Sequence, residues 1–234
     1  MIYSMTHRGL IRDQNEDRFF TKEYGNGSFL ISVADGMGGE AAGELAAQIA
    51  IESLNAFNPD SQSVLDDLVE MLHNADQHIL EKAKENQAFK GMGTTMTTVF
   101  KKGTHAYWVH VGDSRFYVYR GNKLDQITED HTPPGFLLTD GEITREEARI
   151  HPFRHVLFEC LGYGSFEADS GTVDIMNGDL LLLSTDGLHD EVPEETIISI
   201  LSSNTGLQEK LQAFVSAALD TGGKDNITVV GVQV

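Results

Sequence analysis

The sequence predicts an α+β domain built from layers of sheets and helices. Many short segments rich in β-branched and aromatic residues are joined by glycine turns, which is typical of strands in hairpins. Longer segments repeat apolar residues at helical spacing and occur in pairs. Groups of strands followed by pairs of helices favour an α+β fold, while periodicity alone does not say how the sheets stack. The 234 residues are enough for one domain with a large core.

The N-terminal third alternates between strand and helix patterns. Gly25–Gly27 separates two apolar segments and predicts a hairpin. The polar stretch Arg8–Asp17 is predicted to be a loop, and Asn58-Pro59 ends the first helical pattern. The predicted strands are Met1–Thr6, Arg18–Glu23 and Ser28–Ala34, and the predicted helices are Glu40–Phe57 and Ser61–Glu85.

The middle of the chain is predicted to consist mainly of strands. Glu129–Ile143 has no clear period and contains Pro133-Pro134, so it is predicted to be a loop. A short helix is predicted after it, at Thr144–His151, where Pro152 stops the pattern. The predicted strands are Thr94–Lys101, His105–Val111, Phe116–Arg120 and Lys123–Ile127.

The C-terminal third returns to strands and then to a helix pair. Asn177-Gly178 predicts the turn of a hairpin between the strands Thr172–Ile175 and Leu180–Ser184. The remaining predicted elements are the helices Pro193–Ser202 and Leu207–Leu219 and the final strand Ile227–Val234.

Aspartates recur where predicted strands begin or end. Asp35 follows an apolar strand and precedes Gly36, and Asp113, Asp186 and Asp225 occupy similar places elsewhere. A single aspartate beside a glycine at a strand end is more often part of a simple turn, but the recurrence of this pattern favours a common function for the four aspartates. Carboxylate oxygens are the ligands that Mg²⁺ and Mn²⁺ prefer, so the pattern predicts a divalent-cation site.

The composition restricts which kinds of binding partner and which cellular compartment are expected. The formal net charge is −19, from 36 acidic and 17 basic residues. This charge argues against nucleic acid or an anionic membrane and favours a basic protein substrate. Cys160 is the only cysteine, so no internal disulfide is possible. The sequence has no signal-peptide pattern and no apolar run long enough for a membrane helix, so we expect a cytoplasmic monomer.

Seven short motifs are spread in order over nearly the whole chain. They are Gly9-x-x-Arg12-x-x-Asn15-Glu16-Asp17, Ala34-Asp35-Gly36-Met37-Gly38-Gly39, Met92-Gly93-Thr94-Thr95, His110-Val111-Gly112-Asp113-Ser114-Arg115, Asp130-His131, Ser184-Thr185-Asp186-Gly187-Leu188 and Asp225-Asn226-Ile227-Thr228. Together they resemble the motifs of the type 2C protein phosphatase family, whose members are metal-dependent serine/threonine phosphatases. The form with Met37 is similar to the bacterial members.

The resemblance implies a four-layer α-β-β-α sandwich, with two antiparallel sheets face to face and helix pairs outside. It also implies one catalytic domain over residues 1–234, with a flap segment at about 129–165 beside the active site. The cofactors would be two Mg²⁺ or Mn²⁺ ions and a weaker third. The partner would be a phosphorylated protein, the product of a serine/threonine kinase.

The resemblance also assigns roles to residues. Asp35 would bridge both ions, and the Gly36 carbonyl would bind one of them. Asp186 and Asp225 would bind the other ion, and Asp113 would bind the third. Glu16 and Asp17 would hold metal-bound water, and Arg12 would hold the substrate phosphate.

The chemistry of such a site is direct. Two adjacent cations neutralise a phosphate monoester, acidify a bridging water and align it for attack, so no protein nucleophile is needed. The identity of a proton donor stays open, because Met37 stands where some family members have histidine. His131, His151, His155 and His189 are candidates by composition alone, and each is more often a structural residue.

Several alternatives stay open at this stage. Arg12 is otherwise a solvated charge, and Asp113 is otherwise a structural partner of Arg115. The favoured function is hydrolysis of phosphoserine and phosphothreonine in proteins. The alternatives are a metal-dependent phosphatase of a small metabolite, and a non-catalytic binding module that has kept the fold.

Overall fold

The computed structural model describes residues 1–39 and 41–234. Its strands are β1 (Ile2–His7), β2 (Arg18–Glu23), β3 (Phe29–Ala34), β4 (Gly36–Met37), β5 (Gly93–Thr94), β6 (Met96–Lys102), β7 (His105–Val111), β8 (Arg115–Arg120), β9 (Lys123–Gln126), β10 (Asp169–Asp174), β11 (Leu180–Ser184) and β12 (Ile227–Gln233). Its helices are α1 (Ala41–Ser53), α2 (Val64–Glu85), α3 (Pro133–Thr139), α4 (Arg145–Arg149), α5 (Asp186–His189), α6 (Glu194–Ser202) and α7 (Leu207–Asp220). Glu40, the predicted first residue of the first helix, lies outside the described residues.

Two five-stranded antiparallel sheets form the centre of the fold. One has the strand order β1-β12-β11-β8-β9, and the other has the order β10-β7-β6-β3-β2. The short strands β4 and β5 pair separately beside them. Helices α1 and α2 contact the second sheet, and α7 contacts β1 and β12 of the first. The predicted α-β-β-α sandwich is therefore confirmed.

The alternation of side chains along the central strands explains the layers. In β3 the side chains of Ile31 and Val33 pack between the sheets, whereas Leu30 packs under α1 and α2. In β11, Leu181 and Leu183 face the same inter-sheet core. Both faces of these strands are buried, which accounts for their continuous apolar sequence.

The predicted loop at Glu129–Ile143 is wrong in part, because Pro133–Thr139 forms α3. Thr132 caps this helix, and its hydroxyl accepts a hydrogen bond from the Gly135 amide at 3.1 Å. Proline fits the first turn because its missing amide hydrogen has no partner there anyway. The Pro-Pro pair therefore marks a helix start here and not a break.

The predicted hairpin across Asn177-Gly178 is also wrong. Asp169–Asp174 pairs with β7, whereas Leu180–Ser184 pairs with β8 and β12 in the other sheet. The chain crosses between sheets at this turn, where the Asp179 carboxylate accepts hydrogen bonds from the Met176 amide and from Arg120. Asn177-Gly178 does form the predicted turn, but a turn does not determine which sheet each flanking strand joins.

One buried histidine predicts how stability responds to acid. His110 is fully buried, its Nε2 donates to the Glu129 carbonyl at 2.9 Å, and its Nδ1 lies 2.8 Å from the Thr97 hydroxyl. Burial, with the neighbouring His131 charge, lowers the pKa of His110 to about 3. The unfolded chain therefore binds a proton below about pH 6.5 that the folded state does not, so acid destabilises the fold.

We expect the stability advantage of wild type over His110→Gln to shrink by about 2 kcal/mol between pH 7 and pH 5. Urea unfolding at both pH values measures this difference. Subtracting the free energy of unfolding of the variant from that of wild type removes the contributions of the other titrating groups. An advantage that stays constant with pH would contradict the prediction.

Among the helices that the structure describes, none is long and apolar enough to cross a membrane.

Candidate active site

The topology brings the predicted aspartates to one end of the sandwich. Asp35 follows β3 and Asp113 follows β7, which runs parallel to β3 because both strands are antiparallel to β6. Asp186 follows β11, and Asp225 precedes β12, which is antiparallel to β11. Since β3 contacts both β11 and β12 across the two sheets, all four strand ends meet at the same edge.

A cavity of about 360 Å³ lies at this edge. Seven of the eight predicted site residues line it: Arg12, Glu16, Asp35, Gly36, Asp113, Asp186 and Asp225. Met37, Thr95, His155, Leu157 and Asn226 are among the other lining residues. The convergence that the sequence predicted for residues far apart in the chain is therefore observed.

Backbone contacts hold Asp35 and Gly36 in place. The Asp35 amide donates to the Thr95 hydroxyl at 3.0 Å, and the Asp35 carbonyl accepts from the Thr95 amide at 2.9 Å. A Cβ on Gly36 would lie 2.1 Å from the Gly43 carbonyl oxygen and 2.8 Å from the Glu16 carbonyl oxygen. Glycine is thus required for the first turn of α1 to approach the acidic cluster this closely.

Gly36→Ala is therefore expected to lower stability by about 1–3 kcal/mol and to weaken Mn²⁺ binding, because backbone atoms must move. Thermal unfolding and calorimetric titration with Mn²⁺ measure the two effects. Gly25→Ala is the matched control, since a Cβ there meets nothing within 4 Å. Equal behaviour of the two variants would refute the close-packing argument.

Arg12 and Asn226 fix the loop that faces β12. Arg12 Nη2 donates to Asp225 Oδ2 at 2.7 Å, and the Arg12 side chain is 55% exposed. The Asn226 amide group donates to the carbonyls of Arg8 and Gln14, and its Oδ1 accepts from the Glu16 amide at 2.8 Å. Arg12 therefore touches a predicted metal ligand and still has guanidinium donors facing solvent.

Asp17 lies behind the cavity and does not line it. Its Oδ2 accepts from the Thr185 hydroxyl at 2.8 Å, and Thr185 directly precedes Asp186. Burial raises the pKa of Asp17 to about 7, opposed by hydrogen bonds from Thr228 and Thr185. This residue positions the strand end that carries Asp186.

Burial and repulsion between neighbouring charges raise the pKa of three carboxyl groups in the cavity, those of Asp35, Asp113 and Asp225. The pKa of Asp35 lies well above its usual value, mainly because of burial and then the charges of Asp17 and Asp186. Burial and then Asp186 raise the pKa of Asp113 in the same way, and that of Asp225 to a smaller extent. The protein alone therefore pays an electrostatic cost for keeping these groups ionised.

This donor set fits divalent cations. The residues are hard oxygen ligands, and Asp186 Oδ1 and Asp17 Oδ1 are buried without a hydrogen-bond partner in the described part of the chain. A cation between the carboxylates would satisfy such an oxygen and offset the repulsion. Asp35, Asp186, Asp225 and the Gly36 carbonyl are the groups that could hold it.

The alternative role of Asp113 as the partner of Arg115 is not supported. Arg115 Nη2 lies 2.6 Å from Asp130 Oδ2, and both side chains are largely buried. This pair lowers the pKa of Asp130 despite its burial. Asp113 is thus left facing the cavity.

The histidines separate into structural and site residues. His131 Nδ1 accepts from the Gly112 amide, His189 Nδ1 lies 3.0 Å from the Ser184 hydroxyl, and His151 Nδ1 accepts from the Phe153 amide. His155 instead lines the cavity, and its Nδ1 lies 3.4 Å from Asp186 Oδ2. The hydrogen bond with Asp186 raises the pKa of His155.

Asp190 is a site residue that the sequence analysis missed. It lies four residues after Asp186, and its Oδ2 is 3.6 Å from His155 Nδ1. Burial and then the Asp186 charge raise the pKa of Asp190 to about 7. The available signal was the Asp-x-x-x-Asp spacing, which places both carboxylates on one face of a helical turn.

Comparison with known proteins agrees with this geometry. A sequence model described as Protein phosphatase 2C matches residues 6–226. A serine/threonine phosphatase of Listeria welshimeri is 36% identical over 97% of this chain and 93% of its own length. The protein phosphatase PhpP of Streptococcus pneumoniae is 34% identical over 98% of this chain and 95% of its own length.

Solved structures show the same fold. The serine/threonine phosphatase of S. agalactiae superposes with a TM-score of 0.91 at 32% identity, covering 100% of this chain and 99% of that one. The catalytic domain of the phosphatase PstP in complex with two manganese ions gives a TM-score of 0.85 at 35% identity, covering 99% and 96%. The chain belongs to the protein phosphatase 2C family.

Proposed function

We propose that this protein is a metal-dependent serine/threonine phosphatase that hydrolyses phosphoserine and phosphothreonine in proteins. The convergence of Asp35, Asp186 and Asp225 on one cavity, with Arg12 at its edge, carries the proposal. The similar proteins are named as serine/threonine or protein phosphatases, and one similar domain is a manganese complex. The cofactors proposed here are two Mg²⁺ or Mn²⁺ ions.

Each residue has a distinct task in this proposal. Asp35 and the Gly36 carbonyl bind the metal ions between the sheets, and Asp186 and Asp225 supply the remaining oxygen ligands. Bound ions supply charge neutralisation and an activated water for attack on phosphorus. Arg12 orients the phosphate through its planar donors.

The remaining acidic residues have supporting tasks. Glu16 lines the cavity and Asp17 lies behind it, and we assign both to water-mediated contacts with the metal centre. Asp113 is assigned to a weaker third ion. Met37 lines the cavity but has no proton to give, so it is not the general acid.

The proposal extends to partners and organisation. We infer a single catalytic domain over residues 1–234 with a flap at about 129–165. The substrate would be a protein phosphorylated by a serine/threonine kinase, in cytoplasmic signalling, and the enzyme would act as a monomer. The strongly acidic surface favours basic protein substrates and disfavours nucleic acid.

The decisive experiment is hydrolysis of a phosphopeptide panel with Mn²⁺, with Mg²⁺ and with chelator. We expect metal-dependent phosphate release, and activity on phosphopeptides far above that on free phosphoserine. Higher activity on a small phosphorylated metabolite would favour the alternative function. Turnover that continues in chelator would reject the mechanism.

A further inference from the structure

Helix α2 carries a buried acidic side chain outside the catalytic cavity. Of the buried residues of α2, which the structure describes in full, Asp76 alone is charged, and it is 2% exposed. Removing a carboxylate from water is unfavourable unless hydrogen bonds replace the lost solvent. Asp76 Oδ1 accepts such bonds from the Gly162 amide at 2.7 Å and from the Gly164 amide at 3.2 Å. Asp76 therefore connects α2 to a segment that begins 86 residues further along the chain.

The backbone at these two glycines follows a path that meets the carboxylate. Gly162 and Gly164 have φ values of 103° and 85°, a region that residues with a Cβ rarely adopt. A Cβ on Gly162 would also lie 2.5 Å from the Met92 carbonyl oxygen. This path directs two amides at one oxygen, which a carboxylate can accept with its two lone pairs. The contact thus depends on the chain path at the glycines as well as on Asp76.

The anchored turn continues directly into the edge of the catalytic cavity. Leu161 is fully buried and pairs with Thr94, with backbone hydrogen bonds of 2.9 and 3.0 Å in the two directions. The Thr94 hydroxyl donates to the Asp35 carbonyl at 2.8 Å, and Thr94 pairs with Gly36 between β5 and β4. Asp76 thus holds the segment that packs beside the backbone of two predicted metal ligands.

The same anchor lies near the end of the segment proposed as a flap. His155 and Leu157 of this segment line the cavity, and they precede Gly162 by seven and five positions. Near its other end the segment is held at His131, whose amide donates to the Gly112 carbonyl at 2.8 Å. Fixing the chain at both ends restricts where the cavity wall formed by His155 and Leu157 can lie.

We propose that Asp76 is a positioning residue that fixes this wall and so sets how a phosphorylated protein chain is seated in the cavity. The inference rests on the proposed function, because it concerns the substrate of that site. Without the carboxylate, the amides of Gly162 and Gly164 lose their acceptor and the segment before them can shift. A peptide substrate depends on the wall, whereas a small phosphate ester needs only the metal ligands and Arg12.

Amide hydrogen exchange tests the anchor itself. Asp76→Ala should speed exchange at Gly162 and Gly164 by at least about 10-fold, because their hydrogen-bond acceptor is gone. Asp66→Ala is the matched control and should leave this exchange unchanged, since Asp66 is an exposed residue of the same helix. Unchanged exchange in a folded Asp76→Ala protein would overturn the inference.

Steady-state kinetics with two substrates tests the positioning role. In Asp76→Ala we expect KM for a phosphopeptide to rise about 10-fold, with kcat within about twofold of wild type. Both constants for a small aryl phosphate should stay within about twofold, because Asp35 keeps its hydrogen bonds to Thr95. An equal loss of kcat on both substrates would indicate general destabilisation and would contradict the positioning role.

Gly164→Ala is a second variant for the case that Asp76→Ala does not fold. It strains the anchor from the other side, because φ is 85° at Gly164, while the nearest atom to the new Cβ is Leu80 Cδ1 at 3.3 Å. The same selective rise in KM is expected, and its absence would refute the proposal. Wild type that does not hydrolyse phosphopeptides would reject only the proposed function, and the exchange measurement would still decide whether Asp76 holds the segment.

Discussion

Asp186→Asn is expected to lower kcat by at least about 1,000-fold on a phosphopeptide at saturating Mn²⁺. The amide keeps the size of the side chain but removes the charge that a cation needs at the end of β11. Loss of one ligand in a two-metal site costs several kcal/mol of transition-state stabilisation, and about 4 kcal/mol corresponds to this factor. Steady-state kinetics measures the rate, and calorimetry measures the accompanying loss of Mn²⁺ affinity.

Asp66→Asn is the matched control for this experiment, because Asp66 is an exposed residue of α2 away from the cavity. It makes the same chemical change and should keep wild-type kinetics. If Asp186→Asn retained activity within tenfold of wild type, the assignment of Asp186 as a metal ligand would be wrong. Asp35→Asn should behave like Asp186→Asn, since both carboxylates line the same cavity.

Mn²⁺ is expected to raise the melting temperature by on the order of 10 °C at pH 8, relative to protein in chelator. Two sites filled at about 100 times their Kd each contribute about 2.7 kcal/mol, and each kcal/mol is worth about 2–4 °C for a chain of this size. The carboxyl groups of Asp35 and Asp113 have raised pKa values because of burial and mutual repulsion, and bound cations offset this cost. Differential scanning calorimetry measures the shift.

The same carboxyl groups determine whether stability rises or falls with pH. A carboxyl whose folded pKa is raised holds a proton that the unfolded state has released, so stability falls as pH rises through that pKa. For Asp17, with a pKa of about 7, this loss is on the order of 4 kcal/mol between pH 4 and pH 8. In chelator the protein should therefore melt lower at pH 8 than at pH 6.5, and Mn²⁺ should reduce this difference.

Asp113→Asn gives the sharpest form of this prediction. In chelator at pH 8 it should melt higher than wild type, because one repelling charge is gone. With Mn²⁺ its gain in melting temperature should be smaller than that of wild type. Asp66→Asn should follow wild type under both conditions, and a destabilised Asp113→Asn in chelator would contradict the electrostatic account.

Local sequence patterns predicted most elements because their causes are local. The nearly continuous apolar run from Phe29 to Ala34, interrupted only by Ser32, specifies a strand that is buried on both faces, and β3 begins and ends within one residue of the prediction. The predicted helices differ from the structure only at their ends: the second was predicted from Ser61 but begins at Val64. Such ends depend on capping geometry, which periodicity does not contain. The short helices α3 and α5 were not predicted.

The site was predictable to the extent that its residues belong to recognisable motifs. Asp35, Asp186 and Asp225 stand in such motifs, and the structure brings all three to one cavity. Asp190 and His155 carry no comparable signal. His155 reaches Asp186 only because the chain around His155 folds back to the end of β11, a contact between residues 31 positions apart.

The sequence by itself determined the α+β class, the position of nearly every strand and the acidic residues at the strand ends, because these follow from side-chain period and turn chemistry over a few residues. Only the tertiary structure decided that Asp169–Asp174 and Leu180–Ser184 join different sheets. It also decided that His155 meets Asp186 and Asp190. These outcomes depend on which distant partners bury the most surface and satisfy the most hydrogen bonds, a comparison that no short stretch of the chain contains.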